Sequence, residues 1–150
     1  MAVSFTCTTC STLSREALFE LARDIDVHTA SLAHFRERAV AGVAHGPIQL
    51  GQEVTWRAWH FGVPLRMTSR ITQMDAPHRF VDEQVKGPFA SFRHVHDFDS
   101  SAGVTTMTDH VEFTAPCGLV GRIVEKLVLA RYLLRLIEIR NRHLVGATRA

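Results

Sequence analysis

The chain has 150 residues, enough for one domain with its own core and hardly enough for two. Apolar residues make up 46% and charged residues 21%, a globular balance that excludes a disordered or disulfide-stapled chain. With a formal net charge of only +2, composition gives no argument for nucleic acid as a partner.

The opening decapeptide, MAVSFTCTTC, lacks the basic start and apolar run of a secretory signal. No stretch of about 20 apolar residues occurs, so no stable membrane insertion is expected. Three sparse cysteines, Cys7, Cys10 and Cys117, fit a reducing compartment, and the expected location is cytoplasmic. Residues 3–8 read as a strand, with Cys7 at its end and Cys10 in the turn beyond. No second C-x-x-C exists to complete a zinc ribbon, so neither cysteine is assigned a role.

Residues 11–26 read as a helix that Ser14 can cap, with Ala17, Leu18, Leu21 and Ala22 at helical spacing. A second short helix is expected within VHTASLAHF, then a strand at about 36–44 and a turn at HGPIQLGQ. Five alternating segments follow: 53–61, 65–74, 79–86, 89–98 and 104–114. Turns separate them at intervals of about ten residues, the pattern of an antiparallel meander. One long helix over about 118–145 closes the chain. At roughly 40 Å it can cross a sheet whose strands are about 30 Å long. The expected fold is α+β, a single domain over 1–150. About seven antiparallel strands form a curved sheet around a long C-terminal helix, with two short helices after the first strand.

Alternation assigns the faces. Arg57, Arg66, Arg70, Thr106, Thr108 and Glu112 mark the outer one. The inner face then carries Trp56, Met67, Ile71, Phe80, Phe92, Phe98, Met107, Val111 and Phe113. It also carries His60, Asp82, His94, His96 and Asp109. A register placing His94 opposite Asp109, with Asp82 beside His94 or Phe92, gives a polar patch on an apolar wall. Three readings stay open. The first is a metal site, which would need three or four ligands in reach and for which no helical H-x-x-x-H or cysteine pair speaks. The second is a general base, His94 tuned by Asp109. The third is a cluster that orients a polar group of a bound apolar molecule. No nucleophile elbow and no phosphate-cradling glycine loop is present. The third reading is preferred, with no metal and no cofactor expected.

The last helix shows two apolar stripes. Ile123, Leu127, Ala130, Leu134 and Ile137 are expected to face the sheet. Val128, Leu129, Tyr132, Leu136 and Ile139 form the other, for the short helices, a second copy or a lipid surface to cover. Seven Lys/Arg against two Asp/Glu over 117–150 would suit an anionic surface.

GPIQLGQEVTWRAWHFG (46–62), PHRFVDEQVKGPFASFRHVHDF (77–98), GVTTMTDHVEFTAPCGLVGRIVE (103–125) and the RN pair at 140–141 resemble small bacterial members of the START-like (SRPBCC) superfamily. That superfamily includes polyketide cyclase/dehydrase and lipid-transport-like proteins. The resemblance covers nearly the whole chain. It implies a helix-grip fold and a hydrophobic cavity between sheet and last helix, and it carries over no catalytic motif. The expected function is binding or transport of a small hydrophobic or aromatic molecule. Cyclase/dehydratase chemistry at His94 and Asp109 is the alternative. An interaction module or homodimer through the last helix, disrupted by Leu136→Asp, is a third. Ile123, Leu127 and Leu134 complete the expected cavity wall.

Overall fold

The computed structural model describes residues 2–115 and 128–146. The elements run β1 (Val3–Ser11), α1 (Arg15–Ala22), α2 (Ile25–Ser31), a 3-10 turn (Ala33–Phe35), β2 (Arg38–Gly42), β3 (Glu53–His60), β4 (Val63–Asp75), β5 (Arg79–Lys86), β6 (Ser91–Ser101), β7 (Val104–Thr114) and α3 (Ala130–Gly146). All pairings are antiparallel, and the seven-stranded sheet has the order β1-β7-β6-β5-β4-β3-β2. Consecutive strands are neighbours from β2 to β7, and β1 closes the far edge against β7. This is the α+β helix-grip arrangement that the order of elements implies. Ile123 and Leu127 lie outside the described residues.

Local chemistry sets the boundaries. The Ser14 side chain accepts from the Ala17 amide at 3.1 Å and so starts α1, and Asp24 does the same for α2 through the Val27 amide at 3.0 Å. Gly42 ends β2 at φ +72°, where a Cβ would lie 2.2 Å from the Glu53 carbonyl oxygen. β1 runs three residues beyond the expected end, because Thr8, Thr9, Cys10 and Ser11 continue the ladder against Thr105–Thr108. Cys7 and Cys10 therefore both lie on a strand. Residues three apart on a strand point to opposite faces, so the two thiols diverge.

α1 plugs one end of the concave face. Leu18 and Phe19 are fully buried, and Phe19 meets Phe80 and Phe98 edge-on with ring centroids 5.5 and 5.3 Å apart. Met107, Ile71, Val54 and Leu144 join them in one core cluster. α3 packs on β1, α1 and α2, so the chain's own short helices cover part of it.

Candidate functional site

Between the concave face and α3 lies a cavity of about 360 Å³, within the range of small-molecule sites. β3 and β4 contribute Trp56, Ala58 and Met67; α3 contributes Leu133, Leu136 and Ile137, and Leu129 just before it also lines the cavity. Phe61 lines the cavity yet is 65% exposed, which marks the opening near the β3–β4 hairpin. Tyr132 stands beside it, ring centroids 4.5 Å apart.

Asp82, His94, His96 and Arg140 form one polar part of the wall. β5 and β6 place Asp82 directly opposite His94, and β6 and β7 place His96 directly opposite Asp109. The shortest hydrogen bonds run along the diagonals. His94 Nε2 lies 2.7 Å from Asp109 Oδ1, and His96 Nε2 lies 2.7 Å from Asp82 Oδ2. The two imidazoles stack with centroids 3.7 Å apart, and Phe80 stacks on His96 at 4.0 Å. Behind them Asp109 is fully buried. Asn141 Nδ2 donates to its Oδ2 at 2.7 Å, and Arg140 Nη2 stands 3.7 Å from its Oδ1.

This packing sets the charges. Burial alone would raise the Asp109 carboxyl, but the Arg140 guanidinium and the hydrogen bonds from His94 and His96 hold it well below the ordinary range. Asp82 is also lowered, because the His96 hydrogen bond and nearby positive charge outweigh its burial. Burial and the neighbouring His96 push His94 down to about 4, against the pull of Asp109. His94 is therefore neutral at pH 7. Its Nε2–H donates to Asp109, which leaves Nδ1 with a free lone pair 4.0 Å from Asp82 Oδ2.

A stability effect follows. Between pH 6.5 and about 4 the unfolded chain protonates this imidazole while the folded protein does not. The sign is a loss of stability as pH falls through that window, up to ~3 kcal/mol from this group. Below about pH 4 the depressed carboxylates take over the loss. Urea midpoints measured against pH in chelator-containing buffer should fall over that window, and less steeply in His94→Gln. A profile identical in the two proteins contradicts the assignment.

A second polar group lines the cavity. His60 Nδ1 lies 2.6 Å from the Tyr132 hydroxyl, and His28 Nε2 lies 2.7 Å from Glu37 Oε1. His28 stacks on Trp56 at 4.2 Å. Burial lowers the His60 pKa and raises that of Tyr132.

Of the residues expected to bind ligand, Trp56, Met67, Phe80, Asp82, Phe92, His94, His96 and Val111 line the cavity. Phe98 and Met107 do not, because Phe19 and its neighbours in the core cover them. Phe113 is fully buried and packs edge-on against Phe89 at 5.6 Å. Asp109 lies behind the two histidines and reaches the cavity only through them. Leu134 is a correction. It does not line the cavity and lies about 120° round the helix from Arg140. The inward stripe is Leu129, Leu133, Leu136, Ile137 and Arg140, because α3 is rotated to bring Arg140 and Asn141 to Asp109. Leu136, expected on the outward stripe, faces the cavity. The hairpin register is a second correction: His94 is opposite Val111, not Asp109.

Arg140 and Asn141 are the site residues that reasoning from face patterns missed. Arg140 is 3% exposed and Asn141 1%, yet charged and amide residues on an amphipathic helix ordinarily read as its solvated side. Cys7 sits near this cluster with its pKa raised by burial and by the Asp109 charge, so it is a thiol rather than a thiolate.

No protein-family model and no curated protein matches the chain. Solved structures do. TTHA0849 from Thermus thermophilus is similar at 15% identity and TM-score 0.75, over 97% of this chain and 99% of that one. A START superfamily protein from Mycobacterium smegmatis is similar at 11% identity and TM-score 0.72, over 97% and 98%. The Zhui aromatase/cyclase from Streptomyces sp. R1128 is similar at 15% identity and TM-score 0.73, over 98% and 93%. Likeness at such identity shows the fold, and the fold is START-like. Among the described residues no helix is long and apolar enough to cross a membrane.

Proposed function

We propose that the protein binds a small hydrophobic or aromatic molecule and orients a hydroxyl or carbonyl group on it. The observation that carries this reading is an apolar cavity of about 360 Å³ with a buried His/Asp/Arg cluster set into one wall. The apolar walls would supply the binding energy. The free lone pair on His94 Nδ1 can accept from a hydroxyl, and the buried Arg140 Nε, which has no hydrogen-bond partner, can donate to an oxygen. The START superfamily neighbour is consistent with such a site. Transport, cytoplasmic location and homodimer formation belong to the same proposal, and native mass spectrometry reads the last of these.

One observation favours cyclase or dehydratase chemistry as the second reading. His94 is hydrogen-bonded to a buried carboxylate through one nitrogen and presents the other to the cavity, the arrangement of an oriented base. The Zhui neighbour is an aromatase/cyclase. The third reading, an interaction module with a filled interior, has little support, since an interior cavity exists and Leu136 lines it.

A panel of size-matched aromatic hydrocarbons and phenols tests the proposal. The phenols should bind wild type more tightly, by roughly the ~1 kcal/mol of one net hydrogen bond. His94→Ala should remove that preference and leave hydrocarbon affinity intact. Equal affinity for both classes would remove the orienting role. Loss of turnover of a polyketide-like substrate in His94→Ala, with unchanged affinity, would favour the enzyme instead.

A further inference from the structure

We propose that Asp82, His94 and His96 form a binding site for a divalent first-row transition ion of the zinc class, opening on the cavity. One ring nitrogen each of His94 and His96 and one Asp82 carboxylate oxygen lie within 4.8 Å of one another. Asp82 Oδ2 is 2.7 Å from His96 Nε2 and 4.0 Å from His94 Nδ1. Donors in a tetrahedral shell with bonds of about 2.0–2.1 Å stand roughly 3.3 Å apart. The two separations from Asp82 lie on either side of that distance, and the stacked rings, 27° apart, would have to turn toward each other for both lone pairs to reach one ion.

The second layer distinguishes this group from an ordinary ion-pair network. Metal-bound imidazoles almost always anchor the nitrogen that faces away from the metal on a carboxylate or carbonyl. Here both rear nitrogens converge on one buried oxygen. Asp109 Oδ1 is 2.7 Å from His94 Nε2 and 3.2 Å from His96 Nδ1. With an ion present, His96 would carry its proton on Nδ1 and donate it to Asp109, freeing Nε2 as a ligand. Asp109 is itself fixed by Asn141, whose Nδ2 also donates to Thr9 Oγ1 at 3.1 Å. Arg140 stands 3.4 Å from His96 Nδ1 and would pair with Asp109 instead. Asp82 is 19% exposed through its side chain and gives the ion a way in. Two imidazoles and one carboxylate leave a fourth position facing the apolar cavity, the donor set of an open site rather than a closed structural one.

This inference does not require an organic ligand, and its test is read separately. Chelator-treated full-length protein is loaded with Zn²⁺, passed through gel filtration and assayed for metal. Parallel loading with Co²⁺ reports coordination through its visible absorption. One-to-one retention is expected in wild type, with retention lost in both Asp82→Asn and His94→Gln. Asp109→Asn should keep the site but weaken it on the order of 10–100-fold. His45→Gln, which alters an exposed histidine paired with Asp26, should change nothing. Near-UV circular dichroism separates lost ligands from lost folding. Wild type that retains neither ion overturns the proposal, as does stoichiometric retention that survives both Asp82→Asn and His94→Gln. An apolar fluorophore titrated into the same samples shows whether the cavity reading stands or falls independently.

Discussion

Asp109→Ala is expected to destabilise the protein by about 3–5 kcal/mol, a drop in Tm of roughly 10 °C for a domain of this size. The reason is the number of groups the substitution orphans. His94 Nε2 and Asn141 Nδ2 both lose a partner at 2.7 Å, and the Arg140 guanidinium loses its nearest buried counter-charge. None of these residues is more than 4% exposed, so each one left unpaired bears much of its desolvation cost. Asp97→Ala is the control. Its carboxylate pairs with Arg79 on the surface, at 2.5 Å, and an exposed pair contributes about 0–1 kcal/mol. If chemical denaturation gives the two variants the same cost, the buried cluster does not organise the fold as described.

Ala58→Trp carries the second large effect, on binding rather than stability. Ala58 is 5% exposed and lines the cavity. An indole in a packed core would cost about 1–3 kcal/mol of strain or more. An indole entering an existing cavity should instead leave stability within about 1 kcal/mol of wild type and occupy space that a ligand needs. Affinity for apolar probes should fall at least tenfold. Severe destabilisation would mean that the wall at Ala58 is closed.

The sheet was legible because the period of a strand is 2, and alternation in 53–61, 65–74 and 104–114 separates arginine and threonine from aromatic and methionine. The same period explains how a wrong register still yielded the right face. The expected pairing of His94 with Asp109 slipped by two residues from the observed pairing of His96 with Asp109, and a two-residue slip keeps every side chain on its side. His94 nevertheless bonds Asp109, because its ring spans the diagonal between strands. The last helix was less legible. Its sequence offers two apolar stripes, and hydropathy alone chose the one with Leu134. The rotation is set instead by Arg140 and Asn141, whose partner Asp109 is 31 and 32 residues earlier. No local pattern records that contact. The plug formed by Phe19 was equally hidden, since periodicity shows that α1 has an apolar side but not which part of the sheet it covers.

The most direct test of the cavity reading is titration of wild-type protein with an environment-sensitive apolar fluorophore, with native mass spectrometry on the same samples. The expected result is one probe per chain, displaced by a size-matched aromatic phenol and strongly weakened by Ala58→Trp. No binding, or binding that Ala58→Trp leaves unchanged, would contradict a ligand site between sheet and last helix.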